Sequence, residues 1–174
     1  ESLRRVPVRA LLERLARTLR PVARHAGVRL AVECGDDLAV RSRPGEIAQV
    51  LLNLARNALD GFARRGRASG ELLVRFAARG EGRQAIVEVL DNAGGVPAAQ
   101  VPRLFQLGRS SRGSTGVGLY LARCLAERNG GSLGYRPVEG GSVFVLVLPR
   151  PRPARERRLP RGTTGGGRVQ RPVA

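Results

Sequence analysis

The chain has 174 residues, 42% of them hydrophobic, so it is long enough for one domain with a buried core and too short for two full domains. Its formal net charge is +17 and every basic residue is an arginine, which would suit a polyanionic partner. Aromatic residues make up only 3% of the chain, too few for a base-stacking surface, so nucleic-acid binding is not expected as its primary function.

The sequence shows no segment that would enter a membrane. It contains no run of about 18 apolar residues, and no signal-peptide pattern precedes the first predicted helix. Cys34 and Cys124 lie far apart and outside any metal-binding spacing, which favours reduced thiols. We therefore expect a cytoplasmic domain without membrane contact. Because the first residue is Glu1, we expect a piece of a longer protein whose upstream part could be membrane-anchored.

The first predicted elements are a helix and two short strands. Apolar residues recur at helical spacing from Leu11 to Ala26, and Gly27 is a suitable stop. Pro21 is expected to kink or split this helix. The two strands should lie on either side of a turn at residues 35–37.

A second helix is predicted from Pro44 to about Ala63. One apolar arc contains Ile47, Val50, Leu51, Leu54, Ala58 and Phe62. The polar stripe beside it contains Gln49, Asn53, Asn57 and Asp60. Asparagine is a mediocre helix former. The stripe is therefore either the solvated edge of the helix or a set of amide oxygens that hold a hard cation such as Mg²⁺.

Two further strands, residues 70–79 and 83–91, are expected to form a hairpin that turns at residues 80–82. Asp91 ends the second strand, directly before the flexible turn at residues 94–95. It is either an ordinary strand-to-turn aspartate or an ionised carboxylate that accepts a hydrogen bond from the exocyclic amine of a purine. The second possibility would favour adenine, because guanine carries an acceptor at that ring position.

A glycine-rich turn runs directly into a third helix, predicted from Leu119 to Asn129. Gly116 and Gly118 would allow the backbone to approach a phosphate, and the first amides of the helix are unpaired donors. Such a turn is a weak signal when alone. Arg109 and Arg112, just upstream, are either solvated loop arginines or contacts to the same phosphates.

The fold class predicted from these elements is an α/β two-layer sandwich, with helices on one face of a mixed, largely antiparallel sheet. A final hairpin closes the sheet at Pro149. The following residues contain eight arginines and almost no apolar side chains. We therefore expect one domain over residues 1–149 and a disordered tail over residues 150–174.

Taken together and in this order, these segments resemble the ATP-binding catalytic domain of bacterial sensor histidine kinases. The wider group includes DNA gyrase and mismatch-repair ATPases and shares the Bergerat fold. The resemblance spans roughly residues 8–149. The matching motifs are QVLLNLARNALDGF (49–62, asparagine box), DNAGGVP (91–97, first glycine box), VPRLFQLGRSS (101–111, phenylalanine box) and GSTGVGLYLA (113–122, second glycine box).

The resemblance implies a role for individual residues. Asn57 matches the magnesium ligand, Asn53 a neighbour that reaches the phosphates, and Asp91 the carboxylate that reads adenine. Residues 96–115 correspond to a short ATP lid. The other implied nucleotide-binding positions are Arg56, Ala93, Gly95, Val96, Arg109, Thr115, Gly116, Val117, Gly118, Leu119 and Ser142.

Several positions depart from the family pattern. Ala93 stands where a glycine is usual, so the turn must avoid positive φ there. Asp60 stands where some members carry a basic residue, so Arg56 or Arg109 is expected to supply that charge. Asn53 stands where the hydrolytic relatives carry a glutamate that deprotonates water, which favours phosphoryl transfer over hydrolysis.

The resemblance implies a kinase that binds ATP and Mg²⁺. His25 lacks the acidic residue and the proline typical of a phosphoacceptor box. We therefore expect the acceptor histidine on an upstream dimerisation domain of a homodimeric parent, with a response regulator downstream. The alternatives are a nucleotide-binding regulatory module of the anti-sigma type and an arginine-rich nucleic-acid binder.

Overall fold

The computed structural model describes residues 2–35, 37–65, 72–108 and 116–151. The helices in these ranges are α1 (Val8–His25), α2 (Pro44–Arg65), α3 (Gly118–Arg128) and a short 3-10 helix (Ala98–Arg103). The strands are β1 (Arg4–Pro7), β2 (Val28–Cys34), β3 (Ala39–Ser42), β4 (Leu72–Glu81), β5 (Gln84–Asp91), β6 (Ser132–Val138) and β7 (Gly141–Pro149).

Five of these strands form the main sheet, in the order β2-β4-β5-β7-β6. The β2–β4 pair is parallel and the other three pairs are antiparallel. Strands β1 and β3 form a separate antiparallel pair. The three α-helices pack against the main sheet. The predicted two-layer sandwich with a mixed, largely antiparallel sheet is thereby confirmed.

The core lies between α2 and the central strands. Every residue of the predicted apolar arc on α2 is buried, because helical spacing places all of them toward the sheet. In β5, burial alternates from Ala85 through Val87 and Val89 to Asp91, as expected for a strand with one face on the core. The same alternation therefore carries the carboxylate of Asp91 to the buried face.

Pro21 does not split the first helix. Helix α1 continues through it to His25, and Pro21 is exposed. A proline removes one backbone donor and leaves the neighbouring turns intact, so the packing of the apolar face keeps the helix whole. The predicted stop is confirmed, since Gly27 has a φ of +69°.

The two strands predicted on either side of residues 35–37 are confirmed as β2 and β3. β3 pairs with β1, a strand that the sequence pattern did not indicate. The β4–β5 hairpin turns at residues 82–83, because Gly80 and Glu81 still belong to the ladder and Gly82 takes a φ of +54°.

None of the helices in the described part of the chain is both long and apolar enough to cross a membrane. The predicted tail is outside the described residues from position 152 onward. The domain boundary at residue 149 therefore stays a prediction.

Candidate functional site

Asp91 is a buried carboxylate at the end of β5. Its residue is only 3% exposed, and it lies opposite Ser142 of β7, which is equally buried. Desolvation by burial raises the pKa of Asp91, and a hydrogen bond from the Ala93 N–H to its Oδ1, 2.9 Å long, acts in the opposite direction. The backbone thus orients one carboxylate oxygen. The second carboxylate oxygen can accept a hydrogen bond from a donor group of a ligand.

The turn after Asp91 is held tightly against the β6–β7 turn. Gly94 donates its N–H to the carbonyl oxygen of Gly140 at 2.9 Å. A Cβ at Gly95 would lie 2.7 Å from the carbonyl oxygen of Gly141, and a Cβ at Gly141 would lie 1.9 Å from that of Asp91. Only residues without a side chain fit at this crossing.

Ala93 is accommodated in this turn. The positive φ values fall on Gly94 (+98°) and Gly95 (+77°), while the methyl group of Ala93 packs against the core. Gly141 was not among the predicted site residues. The signal for it was the pair of glycines at the start of the last strand, Gly140 and Gly141.

Asn53 connects α2 with the start of α3. Its Oδ1 accepts a hydrogen bond from Gln49 Nε2 at 2.8 Å, and its Nδ2 donates to the carbonyl oxygen of Gly118 at 3.0 Å. Asn57 lies one turn further along the same stripe and is half-buried. Among the described residues, no side chain or backbone group forms a hydrogen bond with the Asn57 side chain. Its amide is therefore available to a ligand.

The start of α3 leaves backbone donors available. Gly116 takes a φ of +64° two residues before the helix, and no side chain in the described part of the chain caps the first turn. Unpaired amides at a helix N-terminus favour an anion. Val117 is 40% exposed, Gly118 is also exposed, and Leu119 is half-buried against the core.

The predicted site residues form two groups on either side of α2, which packs against both β5 and α3. Asp91, Ala93, Gly95 and Ser142 form the group beside β5, and the group at α3 contains Asn53, Gly116, Val117, Gly118 and Leu119. Asn57 and the exposed Arg56 lie on α2 itself. The predicted residues Arg109 and Thr115, and also Arg112, are outside the described residues.

The described part of the predicted lid, residues 96–108, is held by one hydrogen bond to a tyrosine and by two contacts of the Phe105 ring. The Val96 N–H donates to the hydroxyl oxygen of Tyr135 at 3.1 Å. The Phe105 ring packs edge-on against Phe144 with centroids 6.4 Å apart, and the guanidinium of Arg123 lies 5.7 Å from the centre of Phe105. These contacts join the lid segment to β6, β7 and α3.

Asn129 was predicted only as the end of a helix, yet it is a buried polar link between α3 and α2. Its Oδ1 accepts from the Arg43 N–H at 2.7 Å, and its Nδ2 donates to Glu46 Oε2 and to the Leu125 carbonyl oxygen, each at 2.8 Å. The sequence carried no periodic signal for this role, because two of its partners, Arg43 and Glu46, are more than eighty positions away.

Residues 42–152 match the family described as "Histidine kinase-, DNA gyrase B-, and HSP90-like ATPase". The chain is 35% identical over 119 residues to the sensor protein kinase PilS of Pseudomonas aeruginosa, covering 67% of this chain and 22% of PilS. It is 35% identical over 147 residues to the sensor protein TorS of Escherichia coli K12, covering 81% of this chain and 15% of TorS. The chain thus spans about a fifth of the length of such curated relatives.

Solved structures share the fold. The catalytic domain of histidine kinase ThkA superposes with a TM-score of 0.75 at 22% identity, covering 86% of this chain and 97% of that domain. Full-length ShkA in complex with AMPPNP gives a TM-score of 0.71 at 27% identity, covering 85% of this chain and 31% of ShkA.

Proposed function

Because the chain belongs to the family of histidine kinase-, DNA gyrase B- and HSP90-like ATPases, we propose that it is the ATP-binding catalytic domain of a two-component sensor histidine kinase. The observation that carries the proposal is the buried carboxylate of Asp91. The backbone orients one of its oxygens, and its strand packs against α2, the helix that contains Asn53 and Asn57. The ShkA structure holds AMPPNP, which supports an adenine nucleotide as the ligand.

Asp91 is proposed to read adenine. In its ionised form, the oxygen not held by Ala93 accepts a hydrogen bond from the exocyclic amine. Such a bond to a charged group is worth about 1.5–3 kcal/mol, and it strengthens where water is excluded. Ser142 lies beside Asp91 in the ladder and closes the same end of the site. Gly95 and Gly141 allow the close backbone contact that positions the turn after Asp91.

The phosphates are proposed to lie between α2 and the start of α3. The unpaired amides at Gly118 and Leu119 face the negative charge, and Arg56 and Arg109 supply positive charge. When bound, Mg²⁺ would neutralise phosphate charge and hold the phosphates in line with the acceptor.

Asn57 has the chemistry of a magnesium ligand. Its amide oxygen is a hard donor, and its side chain makes no hydrogen bond within the described part of the chain. Mg²⁺ usually combines one or two protein oxygens with waters and substrate phosphates. One protein oxygen is therefore compatible with Mg²⁺ here, where the described residues bring together no group of three His, Cys, Asp or Glu side chains.

The amide of Asn53 supports phosphoryl transfer rather than hydrolysis. It cannot act as a base, and its two ends are already bonded to Gln49 and Gly118. Without a base to activate water, catalysis would come from positioning and from charge neutralisation. The nucleophile would be a histidine on an upstream dimerisation domain.

An exposed apolar surface supports the docking of such a domain. Val117, Tyr120 and Leu121 at the start of α3 are each 38–40% exposed, and Leu107 of the lid segment is 60% exposed. Apolar side chains exposed near the phosphate end would be covered when the acceptor domain approaches.

The parent protein is proposed to be a cytoplasmic or membrane-anchored homodimer whose target is a response regulator. A structure of ThkA in complex with the response regulator protein TrrA supports this partner. PilS is a sensor protein kinase and TorS a sensor protein, so the regulatory-module alternative is not favoured. Within the chain, residues 1–149 would be the domain and residues 150–174 a tail.

Calorimetry with ATP and Mg²⁺ tests the binding half of the proposal, and binding that is undetectable at millimolar nucleotide would refute it. For the transfer half, the chain is mixed with the dimerisation domain of its parent and labelled ATP. We expect label on that domain and almost none on the chain alone. ATP binding without any transfer would instead favour a regulatory module.

A further inference from the structure

Strand β2 is an edge of the main sheet. It pairs with β4 in parallel along its whole length, from Val28 to Cys34, and no strand among the described residues pairs with its other side. Alternate backbone N–H and C=O groups therefore point outward along that side. At its end the carbonyl oxygen of Cys34 accepts a hydrogen bond from the Arg9 guanidinium, so a further strand would have to add beside Leu30 and Val32. Such an edge is a template for one more strand unless it is covered.

A groove of about 560 Å³ lies between this edge strand and α1. Leu30 and Val32 of β2 line it, together with small side chains of α1, so its floor is apolar. Arginines of α1 line it as well, namely Arg17, Arg20 and Arg24, all exposed.

The arginines that α1 contributes to this groove are not neutralised by any described residue. None of Arg17, Arg20 and Arg24 has an ion-pair partner within the described parts of the chain. Glu13 also lines the groove, but its carboxylate lies 3.7 Å from the Arg9 guanidinium. An apolar floor below a row of uncompensated positive charges beside an open strand edge fits a ligand with both acidic and apolar side chains.

We propose that this groove docks an acidic, extended segment of another polypeptide, which adds as a strand beside Leu30 and Val32 at the outer edge of β2. Main-chain hydrogen bonds to β2 would hold the segment. Every second side chain of the added strand would face α1, and this one set would carry both the apolar groups that reach Leu30 and Val32 and the carboxylates that meet the arginines of α1.

Two other occupants fit less well. A second copy of the chain would bring its own arginines against the same arginines, and the longest acidic run in the sequence is the pair Asp36-Asp37. A nucleic acid would neutralise the arginines, but its phosphates would leave most of the outward backbone groups of β2 unpaired.

The groove is independent of the proposed kinase function. It shares no lining residue with the candidate nucleotide site, so the test requires neither ATP nor a phosphoacceptor. Failure of nucleotide binding would leave peptide docking unaffected, and the reverse also holds.

The probe is a labelled peptide in which every second residue is threonine and the residues between them are alternately valine and glutamate, so that apolar and acidic side chains lie on one face of the strand. It is added to the full chain while fluorescence anisotropy is recorded. We expect saturable binding that weakens at least about tenfold in the double variant Arg17→Glu/Arg20→Glu. Arg14→Glu is the matched control, because Arg14 is an exposed α1 arginine that does not line the groove. It should change the affinity less than about twofold. Circular dichroism checks that each variant remains folded.

Two modified peptides separate strand addition from charge alone. A peptide with N-methylated alternate residues loses main-chain donors, so it should bind at least about tenfold more weakly. Amide hydrogen exchange in β2 should slow when the unmodified peptide binds. Equal binding of the methylated peptide, or of one with lysine in place of glutamate, would overturn the proposal. So would duplex DNA that binds the groove more tightly than the peptide and is weakened by the same double variant.

Discussion

The side chain of Asn53 donates a hydrogen bond from Nδ2 to the main-chain carbonyl oxygen of Gly118, 3.0 Å away. Gly118 is the first residue of α3, so this bond fixes the start of that helix against the middle of α2. The amide of Asn53 is itself held by Gln49 Nε2 at 2.8 Å. In the proposed kinase, the unpaired amides of α3 would thus keep their position relative to the magnesium ligand on α2.

The first prediction removes this bond. Asn53→Ala should lower the free energy of unfolding by about 0.5–1.5 kcal/mol and weaken ATP binding roughly tenfold, because the phosphate-binding start of α3 loses its anchor. Urea denaturation and calorimetry measure the two effects. Thr18→Ala is a matched control, since it removes one side-chain hydrogen bond, to the Arg14 carbonyl oxygen, on α1. Equal ATP affinity in both variants would contradict the role of Asn53.

The second prediction concerns the backbone crossing beside Asp91. Gly141→Ala should destabilise the fold by more than about 2 kcal/mol, because its Cβ would lie 1.9 Å from the Asp91 carbonyl oxygen. Gly134→Ala in the neighbouring strand β6 is the control, since its Cβ would meet nothing within 4 Å. It should be neutral or stabilising by up to about 1 kcal/mol. Urea denaturation measures the free energy of unfolding of both variants. If Gly141→Ala were as stable as Gly134→Ala, the backbone crossing would be able to relax around the added methyl group.

Local patterns predicted the elements that position the site. The apolar arc of α2, the strand that ends at Asp91 and the final hairpin all follow from periodicity and turn residues, and each appears in the fold. The resemblance was carried by the asparagine box in α2 and by three motifs between the end of β5 and the first turns of α3. For this reason the sandwich and the family were both accessible without coordinates.

Long-range contacts were not accessible in this way. β1 is a short strand with one buried side chain, Val6, and its pairing with β3 depends on tertiary closure. The role of Asn129 depends on partners at Arg43 and Glu46, far away in the sequence. Helix α1 continues through Pro21 because packing outweighs one lost hydrogen bond.

The third prediction tests the link at the other end of α3. Asn129→Ala should destabilise the protein by about 2–4 kcal/mol, because it leaves the Arg43 N–H and the carboxylate of Glu46 without their buried partner. Thermal or urea unfolding measures the loss. Glu127→Ala, which removes only an exposed ion pair with Arg123, is the control and should cost less than about 1 kcal/mol. Similar losses in the two variants would contradict a structural role specific to Asn129.

The fourth prediction concerns the charge on Asp91. Burial raises its pKa in the folded state above the value near 3.8 that an unfolded chain would show. A carboxyl with a raised pKa stabilises the fold fully below its unfolded pKa, and this contribution is lost as pH rises through the folded pKa. The ligand-free protein should therefore lose stability relative to Asp91→Asn as pH increases from about 4 to about 7.

Unfolding by urea across this pH range checks the sign. Asp60→Asn, which makes the same change at an exposed position on α2, is the control for the substitution itself. Asp91→Asn should also weaken ATP binding about ten- to a hundredfold, because the neutral amide is a weaker acceptor for the adenine amine. A variant that is less stable than the parent at neutral pH, with unchanged ATP affinity, would refute the assignment of Asp91.

The fifth prediction separates the roles of the two asparagines by their dependence on magnesium. In the proposed site Asn57 donates its amide oxygen to the metal, whereas Asn53 holds α3. The parent chain should bind ATP more tightly with Mg²⁺ than with a chelator, and Asn57→Ala should lose most of this enhancement while keeping its metal-free affinity. Asn53→Ala should weaken binding in both conditions by a similar factor.

Asn57→Asp sharpens the test, because it retains an oxygen ligand and adds a negative charge. It should bind metal-free ATP more weakly, through repulsion of the phosphates, and recover affinity when Mg²⁺ is added. Calorimetric titrations of the three variants with and without Mg²⁺ give the complete comparison. If Asn57→Ala kept the full gain in ATP affinity with Mg²⁺, Asn57 would not be the metal ligand. The ligand would then have to be another residue of the polar stripe.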